Sequence, residues 1–315
     1  MKSEKKQPAP RTIHKKPTNN VLLWLRIVRP QTLFASLCPV LVGLLVARKA
    51  IGYAGLSGNT TAVLTLLCAL SLQILSNLIN DYYDFRRGTD QRGRVGFSRA
   101  LAEGEVSEQQ MRAACYIALG VAVVLGAVLC YIGGWLILLI GVTAIFFAWL
   151  YTATDYSLSY LGIADIFVFL YYGIIATAGT TFLQYKAVGI SVSASTFFSQ
   201  HYAAIYAGAV CGLISMCVLA INNIRDIDGD REAGKRTFPV RFGKTAALVA
   251  MGVIVVLMPV FAWLAFSFSW AVLVIIPAAY LYYKVLRARG AEYNQCLMMA
   301  GLVNLCYVLL VWLSV

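Results

Sequence analysis

Charge is scarce in this 315-residue chain. Asp, Glu, Lys and Arg together make up 13% of it, about half of what a soluble domain carries. That leaves too little polar surface to cover a water-exposed globule, which excludes a soluble fold and makes lipid the solvent. Only two His are present, too few for a histidine-rich metal centre. The eight Cys form no CxxC and sit in or beside apolar stretches, so they read as small buried hydrophobes rather than redox or metal groups. The opening "MKSEKKQPAPRTIHKKPTNN" has no apolar core of the kind a cleavable signal needs. It reads as the main part of a disordered basic tail over residues 1–22, lying near anionic headgroups, with His14 inert.

What the chain does have is length in apolar runs. Hydrophobic residues reach 60% and the mean hydropathy is +0.74. A helix needs about 20 mostly apolar residues to cross a bilayer. Nine such runs are legible, at 30–47, 60–79, 112–132, 134–151, 161–183, 202–221, 246–267, 269–286 and 295–314. A membrane β-barrel would show short alternating segments instead. The expected fold class is therefore all-α: a polytopic membrane domain over residues 23–315.

The net charge of +12 raises the possibility of a nucleic-acid partner, and its placement removes the need for one. Lys and Arg gather in the N-terminal tail and after the second, sixth and eighth runs. Only Arg48, Lys49 and Lys186 fall on the other side, which leaves 23 of the 26 on one. Cytoplasmic loops carry such an excess. The expectation is a multi-pass cell-membrane protein with its N-terminus in the cytoplasm and its C-terminus on the opposite side.

The few acids are concentrated in two places. In "SNLINDYYDFRRGTDQRGRVG" (76–96), Asn77 and Asp81 stand four apart and Asp84 follows three later. In "INNIRDIDGDREAGKRTFPVRFGK" (221–244), Asn222, Asp226 and Asp230 are each four apart. At these spacings each set shares one helix face. Both clusters end even-numbered runs, four runs apart, so both reach the cytoplasmic surface. A duplicated four-helix unit plus one extra helix accounts for this order.

Four carboxylates converging from two sides need divalent cations between them. Oxygen donors without His or Cys favour Mg²⁺. Because Mg²⁺ keeps waters and substrate phosphates in its shell, a phosphorylated ligand is implied. Arg86, Arg94, Arg99, Lys235 and Arg236 supply cations for its oxygens.

Taken together, "RPQTLFASLCPVLVG" (29–43), "NLINDYYDFRRGTD" (77–90), "GTTFLQ" (179–184) and "NNIRDIDGDREAGKRTFPVRFG" (222–243) resemble the UbiA superfamily of intramembrane prenyltransferases. Within it they are most similar to the branch acting on 1,4-dihydroxy-2-naphthoate in menaquinone biosynthesis. The resemblance implies a ring of nine transmembrane helices with a cytoplasmic-side active site. It also implies Mg²⁺ and a polyprenyl diphosphate held by Asn77, Asp81 and Asp84 on one side and by Asn222, Asp226 and Asp230 on the other. Asn80, Asn223, Arg94, Arg99, Lys235, Arg236, Tyr83, Tyr151 and Asp165 complete the candidate substrate-binding set. The implied reaction joins the polyprenyl group to an aromatic acceptor with loss of diphosphate and CO₂. One departure is visible: "YTATDYSLSYLG" (151–162) lacks the Gly-Gly-Pro element usual in this branch, although Tyr160, Gly162 and Asp165 keep its pattern.

Aromatic faces stabilise a developing allylic cation, and the candidates are Phe34, Trp149, Tyr151, Phe169, Tyr172, Tyr82 and Tyr83. Asp90 and Asp228 read as solvated or outer-shell acids. An ion-coupled transporter would place its polar groups near mid-span on broken helices, whereas here they collect at one end. An alcohol phosphotransferase would carry a different Asp-rich signature. Acceptors such as 4-hydroxybenzoate or homogentisate remain open, since nothing physical in these motifs names the ring.

Overall fold

The computed structural model describes residues 20–52, 54–88, 99–153, 157–158 and 162–315. The tail up to residue 19, and with it His14, lies outside the described residues, as do Asp90, Arg94 and Tyr160. In chain order the helices are α1 (Asn20–Val28), α2 (Pro30–Ile51), α3 (Gly55–Arg86), α4 (Glu108–Gly133), α5 (Trp135–Leu150), α6 (Ala164–Ala187), α7 (Ala194–Gln200), α8 (Tyr202–Arg225), α9 (Ile227–Glu232), α10 (Phe238–Phe266), α11 (Trp270–Arg287) and α12 (Glu292–Trp312). No strand occurs among the described residues. Each of the nine apolar runs meets one of these helices. Eight are long and apolar enough to cross a membrane, and α5, at 16 residues, is the shorter one.

The helix ends follow from local chemistry. Ser107 opens α4 with a reciprocal capping box: its Oγ accepts from the Gln110 N–H at 3.2 Å, and the Gln110 side chain takes the Ser107 N–H at 2.8 Å. Gly134 at φ 72° separates α4 from α5 within a single residue. Between α1 and α2, Arg29 holds φ 57°, a left-handed conformation that a long side chain seldom adopts. Pro30 then starts α2 at the position where a missing N–H costs nothing.

Helices pack on their chain neighbours, and α12 closes back onto α2. At the centre α8 crosses α6 at backbone contact. A Cβ on Gly173 would lie 2.6 Å from the Gly208 carbonyl oxygen and from the Gly212 backbone, and one on Gly212 would meet the Phe169 carbonyl at 2.5 Å. Small residues let helices approach this closely in lipid, where packing rather than water exclusion drives association. Backbone cannot step aside as a side chain can. Gly173→Ala is therefore expected to destabilise the fold by about 1–3 kcal/mol, read as a lower thermal midpoint in detergent. Gly126→Ala, where a Cβ meets nothing within 4 Å, is the control and should leave the midpoint unchanged or slightly higher.

Two threonines, one just before "GTTFLQ" and one within it, tie α6 to α2. The Thr177 hydroxyl donates to the Pro39 carbonyl at 3.1 Å and the Thr181 hydroxyl to that of Gly43 at 3.0 Å. Gly43 itself permits the crossing, since a Cβ there would fall 2.5 Å from the Thr177 carbonyl. A second, smaller core joins α1, α3 and α4 to the connection before α4, where Ala100, Leu101 and Val106 are buried with Leu23, Ile27 and Leu78. That core anchors Arg99 at the end of the molecule where both acidic clusters emerge.

Candidate active site

A cavity of about 440 Å³ opens between the two acidic clusters and continues into the helix bundle. Its polar mouth is made by the N-terminus of α2, the C-terminal ends of α3 and α8, and the segments around Thr152 and Lys235. Below the mouth it becomes an apolar chamber walled by Cys68, Leu72, Leu129, Ile137, Ile140 and Leu183. Along α3 the lining runs from Thr65 to Asp84, roughly 28 Å at 1.5 Å per residue.

On α3 the residues facing the cavity are Thr65, Cys68, Ala69, Leu72, Gln73, Ser76, Asn77, Asn80 and Asp84, a helical three-to-four spacing. Asp81 is one step round from that face. It is buried at 3% exposure, pairs with Arg29 and Arg99, and does not line the cavity. Asn77 donates to the Val28 carbonyl and to Thr32 Oγ1, both at 2.9 Å, and accepts from Gln73 at 3.3 Å. Its amide thus joins α3 to the start of α2. The Thr152 hydroxyl donates to Asn80 Oδ1 and joins the loop after α5 to α3.

The second ladder survives a break in its helix. α8 ends at Asp226, whose φ of −98° and ψ of 13° leave helical geometry, and α9 restarts one residue later. The backbone bonds Asp226 N–H to Asn222 O (3.0 Å) and Asp230 N–H to Asp226 O (2.8 Å) carry the four-residue spacing across the break. Asn222, Asn223, Asp226 and Asp230 all line the cavity. The break also lets Arg225 fold back on its neighbour. Its Nε and NH2 donate to the two Asp226 oxygens at 2.8 and 2.7 Å, and its NH1 reaches Asn294 at 2.7 Å.

Lys235 is delivered by the end of α9. Gly234 takes φ 75°, its N–H bonds to Arg231 O at 3.1 Å, and the Lys235 N–H bonds to Asp230 O at 2.9 Å. This is a Schellman termination, and it turns the chain back over the site. The ammonium then sits 3.6 Å from Asp84 Oδ2 and 3.8 Å from Asp230 Oδ1. One cation therefore stands between carboxylates from the two opposite clusters.

Other sequence candidates fall elsewhere. Arg236 is exposed; its backbone packs against Gly162, which holds φ 71° where a Cβ would strike the Arg236 carbonyl. Tyr83 accepts a bond from Trp149 Nε1 at 3.4 Å and faces away from the cavity. Asp165 lies in the first turn of α6, where a carboxylate complements the helix dipole, and does not line the cavity. Of the aromatic candidates, Tyr151 and Tyr172 line it, whereas Phe34, Trp149, Phe169 and Tyr82 do not.

Sequence reasoning missed Arg29, Arg225, Phe147, Phe167 and Tyr171. Both arginines stand inside the quoted motifs, so their charge within an otherwise apolar or acidic run was the available signal. A π-helical stretch at Leu170–Ile175 brings Tyr171 and Tyr172 to the cavity together, and no pattern in the letters announces it. Such bulges collect at functional sites.

The donor set suits a hard divalent cation: carboxylate and amide oxygens, with an ammonium already drawn between Asp84 and Asp230. Among the described residues no three His, Cys, Asp or Glu side chains cluster tightly enough to hold a metal alone. Mg²⁺ uses one or two protein carboxylates and completes its shell with water and phosphate, and Asp84 and Asp230, brought to one cation from opposite clusters, offer such a pair.

The profile of the UbiA prenyltransferase family matches residues 36–305. The chain is 36% identical to the 1,4-dihydroxy-2-naphthoate octaprenyltransferase of Escherichia coli (strain K12), over 71% of this chain and 70% of that one. It is 27% identical to the protein of the same name from Bacillus subtilis (strain 168), over 85% and 78%. A UbiA homolog from Archaeoglobus fulgidus, solved bound to GPP and Mg²⁺, shares the fold with a TM-score of 0.62 at 19% identity, covering 93% of this chain and 99% of that one.

Proposed function

The chain belongs to the UbiA prenyltransferase family, and from that premise we propose that it transfers a polyprenyl group from polyprenyl diphosphate to 1,4-dihydroxy-2-naphthoate. Diphosphate and CO₂ leave, and the product is a demethylmenaquinol. The observation that carries this reading is the cavity itself, with a two-sided polar mouth above an apolar chamber. The mouth suits a diphosphate. Mouth and chamber together span roughly 28 Å along α3, close to a bilayer's hydrocarbon core of about 30 Å, and the apolar part suits a prenyl tail. Support for the acceptor comes from the relatives, which are 1,4-dihydroxy-2-naphthoate octaprenyltransferases.

Asp84, Asp226 and Asp230, with Asn222 and Asn80, would hold Mg²⁺ at the mouth; Asp81 and Asn77 position Arg29, Arg99 and α3 around them. When bound there, Mg²⁺ supplies Lewis-acid neutralisation of the diphosphate leaving group. Arg99, Arg225 and Lys235 present guanidinium and ammonium donors toward phosphate oxygens. With the leaving group held, the allylic C–O bond breaks, the electron-rich ring attacks the allylic carbon, and CO₂ departs from the same ring carbon. Phe147, Tyr151, Tyr171 and Tyr172 line the cavity and would supply π-electron density to an allylic cation formed there, while the apolar walls would keep water from it.

In this reading α5 is a ninth crossing and the helices form a ring. The mouth faces the cytoplasm, as does the N-terminus, and the C-terminus lies opposite. The distribution of Lys and Arg supports that orientation.

The test is to incubate the purified chain with Mg²⁺, polyprenyl diphosphates of several lengths and a panel of acceptors, and to weigh the products. The expected product has the mass of the naphthoate plus the prenyl group less CO₂. A chelator should abolish it, and added Mg²⁺ or Mn²⁺ should restore it. Full turnover in metal-free buffer would sink the metal assignment. Prenylation of 4-hydroxybenzoate or homogentisate alone would replace the acceptor.

A further inference from the structure

At the end of the molecule opposite the carboxylates lies a second recess of about 610 Å³, between the C-terminal halves of α2 and α12 and the start of α3. The proposed transfer reaction does not use it. Its walls are Leu41, Leu44, Leu45, Leu305, Val308 and Leu309. Leu309 and Trp312 are more than half exposed, so the recess opens sideways toward the surrounding lipid. Three polar side chains, Gln184, Arg48 and Asn59, stand out against these walls. Gln184, the last residue of "GTTFLQ", lines the recess at 3% exposure, and its Nε2 has no hydrogen-bond acceptor. Arg48 also lines it, exposed and with no carboxylate pairing among the described residues.

A buried amide N–H without an acceptor is costly, and native structures seldom leave one. A water there needs two to four polar partners, and apart from Asn59 and Arg48 the recess offers it apolar side chains. The features call instead for one molecule that is apolar over most of its length, offers an acceptor to a buried donor, and ends in negative charge. We propose that the recess binds one anionic glycerophospholipid. An acyl chain lies along the leucine wall, an ester carbonyl accepts from the Gln184 amide once that side chain turns into the recess, and the phosphate-bearing headgroup pairs with Arg48. Lys49 is otherwise engaged, donating to the Ser314 carbonyl at 3.3 Å and standing over the Phe266 ring. Headgroup selection therefore falls to Arg48.

The test uses the full chain, purified in a neutral detergent, delipidated, and exposed to vesicles of phosphatidylglycerol or phosphatidylcholine before native mass spectrometry. One retained phospholipid per chain is expected, with phosphatidylglycerol preferred about five-fold, the scale of one basic side chain at an anionic surface. Arg48→Gln should keep the lipid and remove the preference. Gln184→Leu should reduce retention of both lipids. Because Gln184 is buried, that variant could fail to fold, and the exposed Arg48 then carries the test. The proposal is overturned if the wild-type chain retains no phospholipid or takes both headgroups equally. It is also overturned if Arg48→Gln leaves the preference intact, or if this face proves to be occupied by a second copy of the chain.

Discussion

Asp84→Ala and Asp230→Ala are each expected to lower polyprenyl transfer by about 10²–10³-fold, the usual cost of removing one group from a preorganised electrostatic site. These two carboxylates come from opposite acidic clusters and already meet at one cation, the Lys235 ammonium, at 3.6 and 3.8 Å. As the proposed ligands of one diphosphate-bound metal site they act as a unit. The double variant should therefore be little worse than either single one. Asp81→Ala should behave differently. Asp81 is buried between Arg29 and Arg99 outside the cavity lining, so its loss strands two cations. The fold should then weaken by about 3 kcal/mol, the scale for breaking a buried pair. Rates, polyprenyl diphosphate affinity and thermal midpoints measured on all four variants separate these outcomes. Near-normal turnover in Asp84→Ala or Asp230→Ala would remove that residue from the proposed site. A multiplicative double variant would mean two independent sites.

The helices were legible because lipid imposes a single rule on the letters: a crossing must be apolar for its full length. Each of the nine apolar runs accordingly meets a helix. The ladder Asn222–Asp226–Asp230 was legible because a four-residue spacing fixes a face, and that face persists even though the helix breaks at Asp226. The same argument could not resolve Asp81 from Asp84. Both lie within one broad face at the end of α3, and the difference between lining a cavity and pairing with Arg29 is about one residue's rotation. That rotation is set by where α1 and the segment around Arg99 pack, and those contacts, such as Arg99–Asp81, Arg29–Asp81 and Arg26–Glu105, fall on no sequence period. The chamber walls were invisible for a related reason. Leu129 and Ile137 line the cavity while Val124 and Leu138 face outward. In lipid both sides of a helix are apolar, so composition does not tell inside from outside.

Lys235→Met is expected to move two affinities in opposite directions. In the protein alone, the ammonium stands where a cation bridging Asp84 and Asp230 would sit, so it competes with a divalent ion for both carboxylates. Removing it should tighten binding of Mg²⁺ or Mn²⁺ in the absence of diphosphate. With the metal and polyprenyl diphosphate both present, the displaced ammonium is free to donate to phosphate oxygens. A hydrogen bond to a charged group contributes about 1.5–3 kcal/mol, so its loss should weaken diphosphate binding by roughly 10–100-fold. The Schellman turn at Gly234 holds the backbone of residue 235 independently of its side chain. The buried Asp84 is nevertheless left less compensated, so the thermal midpoint should fall without metal and recover at saturating Mg²⁺. Calorimetric titration of metal alone, then of an unreactive polyprenyl diphosphate analogue at saturating metal, reads both effects without turnover. A lysine serving only to brace the fold would weaken both steps together. That result would leave Asp84 and Asp230 as a structural pair and take the proposed metal away from the place where the two clusters meet.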